Sequence, residues 1–386
     1  MVRRPIYWAL AVLLLLAACA SPREAPRPAP VPVPAPSPTP SPAPAPIPPP
    51  AEPDLGRVLP LEALKGWAEE DHAEALRAFA ETCSVSREPG MAPVCREARA
   101  LSPLEDRDAK AFLESRLRAR RLAGEGVLTA YFAPEYEARL TPNAEFSAAV
   151  RPKPLDLKVA DGVVSRIGRG GTLSPYPERA AIEASPLVEP PVAWMRPEEL
   201  FFLQIQGSGV LTFADGHRMK ALYAANNGRP FVGVANAMRD RGLLDRDNTS
   251  GEAIRAWLAA HRGPDADAIM RLNPRYAFFS LAPDDGRQPA GAAGVPLPTG
   301  RAVAVDLSLH TLGEVFWIDA EAPILAGAFP AYRRMVTGLD TGGAIKGEVR
   351  ADLYLGQGAA AGLEAGRVRH TLRMYRLVPA ATATWP

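Results

Sequence analysis

Apolar positions recur at helical spacing in the first part of the chain that has enough apolar residues to form a core. These positions are Leu61, Leu64, Trp67, Leu76, Phe79, Ala109, Phe112, Leu113 and Leu117. Intervals of three or four residues place apolar side chains on one face of a helix. The pattern therefore predicts helices over 61–123. At Gly126 the period changes, and Val127 to Phe132 is a run typical of a strand.

The middle of the chain mixes both periods. Pro197, followed by two glutamates, predicts the start of a helix. The run from Phe202 to Phe213 is predicted as a strand, which places Gln204 and Gln206 on one of its faces. Asp215-Gly216 predicts a hairpin turn after that strand. The elements expected next are a returning strand over 217–223, a helix over 231–241, a helix beginning at the capping box 249–252, and a strand over 276–281.

The C-terminal third is predicted as short strands separated by glycine and proline. The predicted strands are 302–307, 314–319, 332–339, 351–355 and 371–378. Short strands at regular spacing favour a small barrel over a parallel sheet. The pattern thus predicts a mainly β protein with N-terminal and inserted helices.

The first nineteen residues have the features of an export signal. Arg3 and Arg4 precede an apolar run that is too short to span a bilayer. The run ends in Leu16-Ala17-Ala18-Cys19, which resembles the lipobox of bacterial lipoproteins. This resemblance implies a signal peptide over 1–19 and a lipid on Cys19, and Ala20 favours the outer membrane, facing the periplasm. A plain secretory signal with a chance cysteine is the alternative.

Residues 20–54 alternate proline with small residues, and proline is abundant in the whole chain, with 42 residues. Such a segment lacks the apolar surface needed to collapse and favours extended polyproline II. We predict a disordered tether that separates the membrane from a distant part of the chain; a docking segment of the PxxP type is the alternative. The formal net charge is +1, which offers no electrostatic basis for binding nucleic acid.

Cysteine usage predicts a disulfide and no metal site. Of three cysteines, Cys19 is assigned to lipid, which leaves Cys83 and Cys95 as a pair in an oxidising compartment. Neither has a CxxC partner, and the five histidines are scattered, so no metal is predicted.

Candidate chemistry is concentrated in the segment from Leu339 to Gly347. This glycine-rich stretch contains Asp340, and Asp352 follows twelve residues later. It lacks the GxxxxGK[ST] spacing of a phosphate-binding loop. Asp306, within an apolar strand, adds a third carboxylate.

Several segments from Gly126 onward resemble the membrane-bound lytic murein transglycosylase A family. They are Leu128–Pro134, Gln204–Gly209, Asn273–Phe279, Val295–Leu297, Leu339–Gly347, Asp352, Gly356–Gly362 and Ala365-Gly366. The C-terminal pattern resembles the three-aspartate domain, whose acids correspond to Asp306, Asp340 and Asp352.

The resemblance implies a fold and a domain organisation. It implies a double-psi β-barrel built from 55–135 and 287–386, a second barrel-like domain inserted at 136–286, and a groove between them for peptidoglycan glycan strands. We expect a monomer, and no sequence motif identifies a protein partner.

The resemblance also implies a reaction. Asp352 would act as acid and then base in cleaving the MurNAc–GlcNAc β-1,4 bond, leaving 1,6-anhydro-MurNAc. No water, metal or organic cofactor is required. Asp340 and Asp306 would support Asp352, either as the neighbouring carboxylate that raises its pKa or as stabilisers of positive charge. The predicted substrate-binding residues are Thr129, Tyr131, Gln206, Gly207, Ser208 and Lys346.

Two alternatives stay open at this stage. An inverting glycoside hydrolase would use two carboxyl groups about 6.5–9.5 Å apart with a water between them. A non-catalytic peptidoglycan-binding lipoprotein would also have an anchor and a tether.

Overall fold

The computed structural model describes residues 57–160, 162–245, 248–322 and 329–381. The predicted signal peptide with Cys19 and the predicted tether over 20–54 lie outside these ranges. Within the described ranges, no helix combines the length and the apolar character needed to cross a membrane.

The first described strand and α-helices form the N-terminal part of the fold. They are β1 (Val58–Leu59), α1 (His72–Thr82), α2 (Met91–Leu101) and α3 (Asp106–Arg116). α1 begins where the carboxylate of Asp71 accepts a hydrogen bond of 2.8 Å from the backbone N–H of Glu74. The predicted disulfide is confirmed, because Cys83 and Cys95 are bonded and join the end of α1 to α2.

The predicted helical region ends earlier than expected. A strand, β2 (Leu117–Arg121), follows α3 directly, so the prediction of helix was wrong for this segment. Leu117 and Ala119 are fully buried, whereas the arginines that alternate with them are more exposed. This period of two fits a strand. Pairing with a distant C-terminal strand therefore decides its conformation.

The middle of the chain forms small sheets and helices. Its elements are β3 (Gly126–Ala133), β4 (Glu135–Glu137), β5 (Ala148–Val150), β6 (Leu157–Ala160), β7 (Val163–Ile167), β8 (Leu173–Pro175), α4 (Arg179–Ala184), β9 (Ala193–Met195), α5 (Pro197–Gln206), β10 (Gly209–Thr212), β11 (Arg218–Asn226), α6 (Ala235–Asp240), α7 (Gly251–Ala260), α8 (Pro264–Met270) and β12 (Ala277–Pro283). β4 and β10 to β12 form one sheet, β5 and β9 a second, and β6 to β8 a third. These three sheets are not joined by pairing between their described strands.

The strand predicted over 202–213 is wrong in its first half. α5 continues to Gln206, and Gly207 ends it in the left-handed conformation, with φ of 89°. Leu200, Leu203 and Gln204 are buried at helical spacing, so tertiary packing favours the helix. Gln204 and Gln206 therefore do not lie on one face of a strand. The hairpin at Asp215-Gly216 is confirmed by the antiparallel pairing of β10 with β11.

The two helices predicted after this hairpin exist with altered starts. α6 is shorter than the predicted 231–241. α7 is capped by Ser250, whose hydroxyl accepts from the backbone N–H of Ala253, rather than by the first residue of the predicted capping box.

The C-terminal elements are mainly strands, as predicted. They are β13 (Ala302–Ala304), β14 (Val315–Glu321), β15 (Ala331–Asp340), β16 (Arg350–Gln357), α9 (Gly358–Ala365) and β17 (Arg369–Pro379). The sequence did not predict α9, where glycines flank an alanine-rich segment. Alanine is the best helix former, and α9 packs against β3, since a Cβ on Gly362 would lie 2.8 Å from the ring of Phe132.

Six strands form a closed ring of pairings in the order β3, β17, β14, β15, β13 and β16. The barrel that the sequence predicted is therefore present as a closed sheet. Its interior is filled by apolar side chains such as Leu128, Val303, Ala351 and Leu353. Since side chains alternate across a strand, residues next to these in sequence face the outside of the ring.

Candidate active site

A row of cross-strand neighbours brings two of the predicted carboxylates together. Ala304 of β13 pairs with Asp340 on one side and with Asp352 on the other. Residues directly opposite each other point to the same face of a sheet, and adjacent strands lie about 4.8 Å apart. The two aspartates thus share the outer face of the barrel, with Cα atoms about 10 Å apart.

A β-bulge sets which residue of β15 faces Ala304. The register runs from Val303 opposite Gly338 to Ala304 opposite Asp340, so that Leu339 is skipped. Without this extra residue, Leu339 would lie opposite Ala304. Leu339 is instead fully buried, and Asp340 joins the row with Asp352.

Asp352 is held by the neighbouring strand. Thr129 of β3 is its cross-strand partner, and the Thr129 hydroxyl donates to Asp352 Oδ1. Arg350 Nη2 donates a hydrogen bond of 2.8 Å to the same hydroxyl oxygen, which directs the hydroxyl proton toward the carboxylate. Among the described residues, no hydrogen bond reaches Asp352 Oδ2. That oxygen is therefore available to carry a proton.

The environment of Asp352 disfavours its charged form. Burial raises the pKa of the Asp352 carboxyl, the hydrogen bond from Thr129 and the charge of Arg350 oppose that rise, and the Asp340 carboxylate adds to it. The net direction is upward from the ordinary value, so Asp352 holds a proton more readily than an exposed aspartate does.

Asp340 is surrounded by more donors. Tyr131 Oη donates to Asp340 Oδ2 at 2.8 Å, and the backbone N–H groups of Ala292 and Thr341 donate to Oδ1 at 3.0 and 2.9 Å. Burial raises the pKa of Asp340, and these three donors oppose the rise. Three donors on one carboxylate stabilise its ionised form more than the single donor on Asp352 does. The two carboxyl groups therefore differ in their surroundings: Asp340 accepts from three donors, whereas Asp352 accepts from one and lies near the charge of Arg350.

Two tyrosines lie next to this row, and one of them is hydrogen-bonded to it. The rings of Tyr131 and Tyr354 lie 5.3 Å apart between centroids. Tyr354 Oη donates to Gln288 Oε1 at 2.7 Å. Burial, and then Asp340, raise the pKa of Tyr131, so its hydroxyl stays protonated and keeps donating to Asp340. Stacking of Tyr131 on a sugar ring stays a prediction.

Asp306 makes its contacts with a loop rather than with the aspartate pair. Its carboxylate accepts from the backbone N–H of Gly347 at 3.0 Å and from the backbone N–H and hydroxyl of Ser308 at 3.1 and 2.9 Å. Lys346 Nζ donates to it at 3.1 Å. The Gly347 amide, with help from Ser308 and Lys346, holds the pKa of Asp306 well below its usual range. Asp306 therefore anchors the segment that follows Asp340.

The remaining predicted binding residues lie where α5 meets the barrel. Gln206 Oε1 accepts a hydrogen bond of 3.2 Å from the backbone N–H of Phe132 in β3. Gly207 and Ser208 are half-buried in the connection from α5 to β10. Gln206 thus contacts the barrel strand that carries Thr129 and Tyr131. Its binding of substrate stays a prediction.

Sequence reasoning gave no role to Arg350, Tyr354 or Gln288. Arg350 could have been found from its position, because residues two apart on a strand share a face and Asp352 lies two residues later. Among the described residues, no group of three or more His, Cys, Asp or Glu side chains is arranged to hold a metal ion.

Comparison with known proteins finds two family models and several relatives that match this chain. A model described as the MltA specific insert domain matches residues 127–280, and a 3D domain model matches residues 301–378. The membrane-bound lytic murein transglycosylase A of Vibrio cholerae is 32% identical over 268 residues, which is 66% of each chain.

The chain belongs to the membrane-bound lytic murein transglycosylase A family.

Solved structures of this family share the fold. The membrane-bound lytic murein transglycosylase from Agrobacterium tumefaciens matches with a TM-score of 0.74 and 31% identity over 85% of this chain and 98% of that one. E. coli MltA with bound chitohexaose matches with a TM-score of 0.62 and 26% identity over 84% and 91%. The predicted family is therefore confirmed. The relatives are named lytic murein transglycosylases, so the prediction of an enzyme that cleaves peptidoglycan is confirmed as well. The chain spans about two thirds of the length of the curated relatives that it matches.

Proposed function

We propose that this chain is a lytic transglycosylase that cleaves the MurNAc–GlcNAc β-1,4 bond of peptidoglycan and forms 1,6-anhydro-MurNAc. Asp352 acts first as acid and then as base. The observation that carries this proposal is the row Asp340–Ala304–Asp352, in which the two carboxyl groups share a face but differ in their donors. Burial and the neighbouring Asp340 carboxylate raise the pKa of Asp352, which suits a group that must donate a proton.

The reaction needs only these groups and the substrate. Protonated Asp352 donates its proton to the glycosidic oxygen, the C1–O bond of MurNAc breaks, and positive charge develops at C1. The Asp340 carboxylate, about 10 Å away at Cα, stabilises that charge. The Asp352 carboxylate then takes the proton of the MurNAc C6 hydroxyl, whose oxygen bonds to C1. Asp352 ends protonated again, and no water is consumed.

Binding of glycan strands is supported by the bound chitohexaose in the E. coli relative. On this chain we place the glycan along the face that carries Thr129, Tyr131 and Asp352, with Gln206, Gly207 and Ser208 at its border. We further propose that the closed ring has the double-psi topology. Its two parallel pairings, β13 with β15 and β16 with β3, support this topology.

We also propose that the enzyme is an outer-membrane lipoprotein facing the periplasm, anchored through Cys19 and extended by the tether over 20–54. The relatives named membrane-bound support this. Metabolic labelling with a palmitate analogue tests it. Label is expected on the wild type and absent from a Cys19→Ser variant; label retained on the variant would contradict the anchor.

The decisive experiment is the digestion of purified murein sacculi by residues 20–386, with mass spectrometry of the soluble fragments. The wild type should release fragments ending in 1,6-anhydro-MurNAc, and Asp352→Asn, which keeps the size of the side chain, should release none. Fragments with a reducing-end MurNAc would instead indicate a hydrolase. If neither protein released fragments while both bound sacculi, the chain would be a binding lipoprotein.

A further inference from the structure

The guanidinium of Arg275, in the connection between α8 and β12, lies directly on the loop that follows Asp340. Arg275 precedes β12, and an ideal Cβ on Gly343 would lie 3.3 Å from Arg275 Cζ and 3.4 Å from its Nη1. Gly343 is three residues after Asp340 in sequence. The absence of a side chain at Gly343 thus lets the cation approach the backbone of this loop.

Arg275 is held in place from its backbone. Its N–H donates to Asn273 Oδ1 at 3.2 Å, and its carbonyl accepts from Arg179 Nη2 at 2.6 Å. One side-chain atom, Nη1, donates to the carbonyl of Arg229 at 3.2 Å. A single side-chain hydrogen bond to a neutral carbonyl fixes the direction of the guanidinium without neutralising its charge.

The guanidinium of Arg275 keeps unused donors. Among the described residues, Nε and Nη2 make no hydrogen bond, and no carboxylate lies within ion-pair distance. Lys346, the cation among the predicted substrate-binding residues, is paired with Asp306. The charge of Lys346 is therefore already paired with Asp306, whereas Arg275 keeps its charge and two unused donors for a ligand.

The chemistry of the substrate matches this cation. MurNAc differs from GlcNAc by a lactyl group on C3, whose carboxyl is either free or joined to a peptide that has carboxylates of its own. The planar fork of arginine binds carboxylates through two parallel hydrogen bonds. We propose that Arg275 binds a substrate carboxylate, and that it thereby selects the register in which MurNAc, rather than GlcNAc, presents C1 to Asp352. This inference rests on the proposed function.

The test measures binding without turnover, in an Asp352→Asn background. Three ligands of equal length are compared: chitohexaose, which has no carboxylate, a peptide-free GlcNAc–MurNAc hexamer, and the same hexamer bearing peptides. Arg275→Gln should weaken binding of at least one carboxylate-bearing hexamer by about tenfold, the value of one charge-assisted contact, relative to chitohexaose. Loss with the peptide-free hexamer identifies the lactyl carboxylate, and loss only with the other identifies a peptide carboxylate.

Three further variants separate this role from a structural one. Arg275→Lys keeps the charge but not the fork, so its selectivity should be intermediate. Gly343→Ala should also lower selectivity, because its Cβ crowds the guanidinium. Arg116→Gln, which changes the net charge equally on an exposed helix end, is the matched control. Thermal unfolding midpoints of all variants show whether they fold.

The outcomes distinguish this inference from the proposed function. If folded Arg275→Gln kept the wild-type ratio of affinities, or if Lys346→Gln rather than Arg275→Gln lowered it, the role of Arg275 would be refuted. Digestion of sacculi by the otherwise wild-type enzyme is scored separately. Arg275→Gln could lose selectivity while the wild type releases no anhydro product. That result would support the carboxylate site and refute the proposal of a transglycosylase.

Discussion

The hydroxyl of Thr129 donates to Oδ1 of Asp352, and these residues are 223 positions apart in sequence. They are paired directly across β3 and β16, whose parallel pairing aligns the two strands. Arg350, two residues before Asp352, donates to the same hydroxyl oxygen. The hydrogen bonds from Arg350 to Thr129 and from Thr129 to Asp352 thus orient the carboxyl group of Asp352, the proposed acid.

Thr129→Val removes this donor without changing the size of the side chain. A hydrogen bond to the charged form lowers a pKa, so its loss should raise the pKa of Asp352 further. Because the acid must be protonated, the alkaline limb of the kcat profile should move to higher pH. The maximal kcat should fall roughly tenfold as the carboxyl loses its orientation.

Thr129→Ser is the matched control for this change, since it keeps the hydroxyl, and its pH profile should stay close to that of the wild type. An alkaline limb that moved to lower pH in Thr129→Val would contradict the hydrogen bond from Thr129.

Asp340→Asn removes the neighbouring charge. The Asp340 carboxylate raises the pKa of Asp352, so this variant should shift the alkaline limb to lower pH, opposite to Thr129→Val. The loss of a carboxylate that stabilises positive charge should lower kcat by roughly 100-fold. Tyr131→Phe removes one hydrogen bond but leaves the charge, so its loss should be much smaller. Steady-state kinetics over pH on soluble glycan fragments checks both; equal losses in the two variants would contradict the role of the charge.

Asp306→Asn should reduce stability more than chemistry. The pKa of Asp306 lies below its unfolded value of about 3.9, so its contribution to stability is complete above that pH and is lost as pH falls toward the folded pKa. The variant should unfold with a free energy lower by roughly 1–3 kcal/mol at pH 7, and the difference should shrink below about pH 4.

Urea unfolding of wild type and Asp306→Asn at several pH values measures this difference. Lys346→Gln, which removes a single exposed partner of Asp306, is the comparison and should cost less. A difference that grew as the pH fell would show that the carboxylate of Asp306 is not what anchors the loop.

The disulfide between Cys83 and Cys95 should stabilise the N-terminal helices. It spans 12 residues of sequence, and a closed loop of that length corresponds to about 3 kcal/mol of chain entropy. Replacing both cysteines by alanine should lower the free energy of unfolding by about that amount in denaturant titrations. Adding reductant to the wild type should have the same effect and none on the double variant.

Local sequence patterns determined much of the fold. The strand containing Thr129 and the C-terminal strands were predicted because their apolar and β-branched residues extend over single segments. The hairpin at Asp215-Gly216 followed from the turn residues alone. The carboxylates were predicted from the resemblance of short motifs, which lie in the expected order along the chain.

Tertiary structure decided the segments whose local preference was ambiguous. The segment ending at Gln206 is apolar enough for a strand, yet packing of Leu203 and Gln204 makes it a helix. Leu117 continues a helical spacing, yet pairing with β17 makes it begin a strand. In both cases burial against distant residues outweighs propensities that differ by less than about 1 kcal/mol per residue.

The site shows the same division. Sequence alone supplied Asp340 and Asp352, because motif and residue type are local properties. Only the tertiary structure placed them in one row, through a bulge at Leu339. It also directed the carboxylate of Asp306 to the loop that contains Gly347. Register and long-range hydrogen bonds depend on which strands meet, and no local pattern carries that information.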